Sequence, residues 1–145
     1  MRPEQMTGLE LLQAAIAGKF PRPPMSDTVP MEITEARAGH IVGTARADQR
    51  HINVMGGVHG GFAATILDSA TGCAVHSMLE AGVNYGTTDL SVKMFRPVPQ
   101  GETLLVEGKI INLSRSLGVS EGTLKTADGK LLAHATATCF ILRRD

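Results

Sequence analysis

The chain has 145 residues, 43% of them hydrophobic, and its 14 basic and 14 acidic side chains cancel. That length and apolar content suit one compact domain with its own core, over residues 1–145. The balanced charge excludes the broad basic field that draws nucleic acid or acidic membranes, so any bound anion must be held by a few placed groups. Cys73 and Cys139 sit in apolar runs with neither metal-ligand spacing nor a disulfide framework, which suits a reducing compartment. The first residues lack a secretory apolar core, and no apolar run approaches the ~20 residues that span a bilayer. The expectation is a soluble cytoplasmic protein.

In chain order, Met6, Leu9, Leu12, Ala15 and Ile16 recur at helical spacing, and Gly18 with Pro21, Pro23 and Pro24 ends that helix. Residues 1–25 are thus a short amphipathic helix and a proline-rich connection. Two short alternating segments between Met31 and Ala47 flank Ala38, Gly39 and His40, the pattern of a hairpin. From about Gly60 to Leu79, Phe62, Ala63, Ile66, Leu67, Ala70, Cys73, Ala74, Val75 and Met78 leave little polar surface, so this long helix is expected to be buried all round.

Beyond Gly82 the period becomes two. Leu90, Val92 and Met94 alternate with Asp89, Ser91 and Lys93 in a strand starting at Thr88, and Pro97 to Gly101 break it. A strand over residues 102–113 follows, then strands over 117–126 and 130–142 joined by the hairpin pair Asp128 and Gly129. One helix buried along an antiparallel sheet gives an α+β fold in which the sheet curls around the helix.

The segment with most chemistry runs from Asn53 through His59, Gly60 and Gly61 to Asp68. Gly60 and Gly61 stand where a loop becomes a helix. Their unpaired N–H groups and the helix dipole can polarise a carbonyl oxygen, and two missing side chains admit close approach. The same residues also suit a plain helix start after a tight turn. Asp68, about two turns in and flanked by Ile66 and Leu67, is costly to bury unless paired or functional. Bonded to Thr65 or Thr71, or emerging at the surface, it would need no function.

This order of elements, with Asn53, His59, Gly60, Gly61 and Asp68 in register, resembles the hotdog fold, and more narrowly the PaaI-type (phenylacetic acid degradation) branch of acyl-CoA thioesterases. Tyr85 to Val92, Phe95 to Val98 and Asp128 to Ala135 extend the resemblance along nearly the whole chain. It implies hydrolysis of an aryl- or medium-chain acyl-CoA, with Asp68 as nucleophile or as general base on water and Gly60 polarising the thioester carbonyl. It implies an obligate homodimer, commonly paired again into a homotetramer. Asn53 would orient water or thioester, or simply serve an Asx-turn; His59 would cap or support the glycine loop.

Thr87 or Thr88 would hold the attacking water, with Thr87 better placed by alternation. No metal, redox cofactor, nucleic acid or membrane is expected as a partner. Coenzyme A phosphates need cations, for which Arg115, beside Ser114 and Ser116, and then Arg96 are the candidates. Phe62, Leu67 and Met94 are expected to line an apolar acyl pocket at the dimer interface.

Geometry adds a further expectation. Gly60 and Asp68 are eight residues apart, ~12 Å of helix rise, yet an oxyanion donor and an attacking group must both come within about 3 Å of one carbonyl region. Two antiparallel helices across a two-fold axis would bring Asp68 of one copy to Gly60 of the other. Two rivals remain. A hotdog dehydratase wants an acid working with a catalytic histidine, and here His59 is followed by two glycines rather than Phe-Pro. A non-catalytic acyl-CoA-binding protein keeps the fold and loses the acid, which Asp68 argues against.

Overall fold

The computed structural model describes residues 1–143. Helix α1 (Gly8–Ile16) and the short α2 (Met25–Thr28) precede strands β1 (Met31–Arg37) and β2 (His40–Ala45). The long helix α3 (Gly60–His76) follows, then β3 (Asn84–Met94), β4 (Leu104–Leu113), β5 (Leu117–Thr126) and β6 (Leu131–Leu142). All six strands form one antiparallel sheet in the order β1-β2-β4-β5-β6-β3.

The sheet curls around α3, as a hotdog fold requires, and small residues let it close tightly. Gly108 of β4 faces Gly122 of β5 in the ladder, and a Cβ on Gly108 would lie 2.3 Å from the Ala70 carbonyl oxygen of α3. Ala133, Ala135 and Ala137 of β6 continue the shallow trough. Ile66, Leu67, Leu104, Val106 and Leu124 fill it as the core. Register shifts at Thr34, Thr88 and Ile111 bend the strands, the usual action of a bulge. Buried hydroxyls bond to backbone: Thr71 Oγ1 donates to Leu67 O (2.7 Å) and Ser120 Oγ to Thr71 O (2.9 Å).

The elements fall where the sequence puts them, with corrections at the ends. Helix α3 stops at His76 rather than Leu79 because the buried Ser77 Oγ donates to Ala74 O (2.6 Å) and accepts the Gly39 N–H of the β1–β2 turn (2.8 Å). Strand β3 begins at Asn84, four residues early, because Tyr85 and Thr87 pair with Ile141 and Cys139. The larger correction concerns α3, which is not buried all round. Gly61, Asp68 and Ser69 are exposed and Thr65 half-buried, forming a polar stripe that the chain's own sheet leaves uncovered.

Helix α1 is held by a capping box, Thr7 Oγ1 accepting the Glu10 N–H (3.2 Å) and Glu10 Oε1 the Thr7 N–H (2.9 Å). It seats against the C-terminal turn of α3, where the Gly8 N–H donates to Leu79 O (3.0 Å). No described helix is long and apolar enough to cross a membrane.

Candidate active site

The loop before α3 is wound on Asn53, whose Oδ1 accepts the N–H groups of Met55 (2.9 Å) and Gly57 (3.1 Å). Gly56 adopts a φ of +87°, which suits glycine there. Asn53 therefore plays the Asx-turn part, with both bonds spent on the loop. The His51 ring, stacked on Phe62 with centroids 5.1 Å apart, anchors the loop against the core. Its carbonyl accepts the His59 N–H at 2.7 Å.

His59 is the N-cap of α3, its Nδ1 accepting the Gly61 N–H at 2.8 Å. The Gly60 N–H donates to no acceptor among the described residues. Of the two glycine donors, only Gly60 is thus free for an incoming carbonyl oxygen, at the positive end of a 17-residue helix. Its neighbour is Met94, whose Cε and Sδ would lie 3.0 Å from a Cβ placed on Gly60.

Met94 and Gly60 share a cleft of about 330 Å³ with Val58, Phe95, Arg96 and Leu132. Arg96, Pro97, Val98 and Leu132 also line a neighbouring hollow that reaches Lys130. Arg96 is pinned there by Nη1 donating to Leu131 O (2.8 Å). Arg96 therefore lines the cleft that holds Gly60, and Lys130 the hollow next to it; the latter stood in the sequence only as part of a hairpin turn. Arg115 and Ser116 sit on the β4–β5 turn, next to Gly118, which packs on Val75 near the C-terminal end of α3. Within the chain they lie the ~25 Å length of α3 from Gly60.

Asp68 is exposed, and its carboxylate has no hydrogen bond or ion pair among the described residues. Of the alternatives the sequence left open, burial among Ile66 and Leu67 or emergence at the surface, the structure shows the second, because Asp68 lies on the uncovered stripe of α3. Nor do the nearby threonines bind the carboxylate: Thr65 Oγ1 donates to Gly61 O (2.9 Å), and Thr71 Oγ1 to the Leu67 and Asp68 carbonyls.

Tyr85 packs edge-on over Gly72, one turn beyond Asp68, and 5.0 Å from the His76 ring. Burial pushes its phenol well above the usual range, with the charges of Cys73, Cys139 and Asp68 adding to the rise. Thr87 is paired with Cys139 on the helix-facing side of the sheet, its hydroxyl 3.8 Å from the thiol. The bulge makes Thr88 the extra residue and turns its hydroxyl to Thr138 O (3.2 Å). Simple alternation put Thr87 on the solvated face; the bulge moves it to the helix side.

Two acyl-pocket candidates are corrected. Phe62 and Leu67 are 3% and 0% exposed inside the core of the chain, so of the three residues expected to line an acyl pocket only Met94 lies open. Among the described residues, no three His, Cys, Asp or Glu side chains cluster as a metal site would need.

The sequence profile of the thioesterase superfamily matches residues 55–133, more than half of the chain, including Gly60, Asp68 and Thr87. The chain belongs to the thioesterase superfamily. A phenylacetic acid degradation-related protein of Ralstonia eutropha has the same hotdog fold, with a TM-score of 0.81 and 30% identity over 89% of this chain and 98% of that one. A hypothetical thioesterase of Streptococcus pneumoniae, solved with coenzyme A, superposes with a TM-score of 0.72 and 25% identity, covering 79% of this chain and 87% of that one. A provisionally named esterase of Halobacterium salinarum is 40% identical over 73 residues, 49% of this chain. The chain spans 47% of that relative's length.

Proposed function

We propose that this thioesterase-superfamily protein hydrolyses acyl-CoA thioesters to free acid and coenzyme A, at sites each built from two copies of the chain. The observation that carries the reading is a pair of uncommitted groups on one helix. The Gly60 N–H and the Asp68 carboxylate have no partner among the described residues. Their ~12 Å separation along α3 is too long for one carbonyl to meet both. Facing helices in antiparallel array bring the two groups together.

Strand β3 supports this pairing. It is an 11-residue edge strand with no proline, the kind of edge that proteins cover or pair. In the proposed reaction the Gly60 N–H holds the carbonyl oxygen as negative charge develops on it, and Asp68 of the facing copy drives attack on the carbonyl carbon. The C–S bond breaks, sulfur leaves with the electron pair and takes up a proton as the thiol of coenzyme A. Water supplies the oxygen of the acid. Thr87, on the helix side of β3, helps hold that water. Arg96 and Lys130 flank the route out of the Gly60 cleft and suit the phosphates; the bound coenzyme A of the pneumococcal relative supports this class of substrate. In the antiparallel pair, the partner's Arg115 turn lies toward this end as well.

A thiol-release assay over aryl, short and long acyl-CoAs tests the proposal. Asp68→Ala is expected to lower kcat at least ~100-fold, the scale of a lost general base, with little change in stability because the side chain is exposed. The reading is abandoned if no acyl-CoA is turned over, or if Asp68→Ala matches wild type on the best substrate.

A further inference from the structure

The uncovered stripe of α3 borders a cavity that neither Gly60 nor Asp68 lines. It has a volume of about 450 Å³ and lies between α3, β1 and the N-terminal segment. Leu12 and Ile16 of α1, Phe20 and Met25 of the connection, Ile33 of β1 and Ile66 of α3 give it apolar walls. Thr65 and Ser69 form its edge on α3. They stand three residues before and one residue after Asp68, so the cavity opens within a helical turn of the attacking acid.

We propose that this groove holds the acyl chain, and that it selects an uncharged aliphatic chain of medium to long length over an aryl group. The inference rests on the acyl-CoA reading of the site. The size decides the class: about 450 Å³ is three times the ~150 Å³ cavity that takes a benzene ring. A phenylacetyl group would leave most of the walls unfilled, and unfilled apolar walls forgo contacts that a longer chain makes.

Charge decides the far end of the chain. The cation lining the groove, Arg22, is already bound to Glu32 of β1 and lies 3.7 Å from Asp27, so its single charge is outnumbered by two carboxylates and an ω-carboxylate would meet net negative charge. The walls contributed by residues 12–33 lie outside the 55–133 segment that the family profile matches. Chain selection would thus belong to the N-terminal segment, separate from the chemistry on α3.

The test is calorimetric binding of non-hydrolysable S-alkyl-CoA thioethers, from butyl to hexadecyl with S-benzyl-CoA beside them, to the intact protein. Each added methylene is expected to tighten binding roughly fourfold until the groove is full, which corresponds to ~0.8 kcal/mol per buried methylene. Benzyl-CoA should fall below octyl-CoA. Ala15→Trp places an indole in the groove from an exposed position on α1 and should flatten the slope and end it at a shorter chain. Phe20→Ala enlarges the groove and should carry the slope to a longer chain, an opposite shift that general destabilisation does not produce.

A flat series in the wild-type protein overturns the assignment, as do slopes that neither variant moves. Intact slopes with no hydrolysis of any acyl-CoA support the groove and sink the catalytic reading instead. Hydrolysis with flat slopes does the reverse.

Discussion

His59 and Gly61 share one hydrogen bond, and that bond decides which glycine is available for chemistry. Because Nδ1 accepts the Gly61 N–H, the free donor is Gly60 alone. Replacing His59 with Ala orphans the Gly61 amide, so the loss in stability should be ~1 kcal/mol, the usual scale for a lost N-cap. Urea unfolding measures it, and an unchanged midpoint would show the cap to be unimportant. The sequence made His59, Gly60 and Gly61 legible as a helix start, but not which amide the cap consumes, since that depends on a ring rotamer.

Asp68 was legible as unusual for the wrong reason. Its apolar neighbours Ile66 and Leu67 are core residues, yet a 100° step along the helix carries Asp68 out to the uncovered stripe. Local composition cannot show which side of a helix its sheet leaves bare.

At the level of elements, the wall of the groove depends on the seating of α1. A Cβ at Gly8 would lie 1.7 Å from the His76 carbonyl oxygen, a backbone atom that cannot swing away. Gly8→Ala should therefore lift α1 from α3 and cost at least ~2 kcal/mol, in the range of severe single substitutions. A denaturation midpoint within error of wild type would refute that close approach. Proteolysis at the proline-rich connection should rise in the same variant.

Cys73, on the α3 wall of the groove, offers a pH test. Burial, with the Asp68 charge second, pushes its thiol up to about 11 from an ordinary value of 9.0. A raised folded-state value means that this thiol favours folding fully below pH 9.0, and that its contribution is lost as pH climbs to about 11. The melting temperature should fall across that window, and less steeply in Cys73→Ala; parallel curves would refute the burial effect. The strands around this helix were legible from their period-two pattern and the Asp128–Gly129 turn. The bulge at Thr88 was not, because a bulge inserts a residue without changing composition, and it reverses the side on which Thr87 lies.

At the scale of the whole molecule, one chain either is a complete enzyme or supplies halves of two sites. Each chain offers Gly60 at one end of its exposed helix stripe and Asp68 near the middle, with an unpaired β3 edge in the same sheet. The order of elements was legible from periodicity, and the ~12 Å between Gly60 and Asp68 from the fixed rise of a helix; the roles expected of the two residues came from the resemblance to PaaI-type thioesterases. The groove was not, because its walls come from three separate segments that only folding assembles.

Two inactive variants distinguish shared from self-contained sites. Asp68→Ala keeps a working Gly60, while Gly60→Val keeps a working Asp68, the Cβ it adds meeting Cε and Sδ at the flexible end of Met94. If each site takes one group from each copy, neither homodimer has a working site, but a hybrid dimer has one intact site of two. Random exchange makes half the dimers hybrid, so an equimolar mixture unfolded and refolded together should regain about a quarter of wild-type activity per chain. Mixing without subunit exchange should regain none, which controls for residual activity. If each chain carries its own site, both groups must act in cis, no combination restores function, and refolded mixtures stay as inactive as their components.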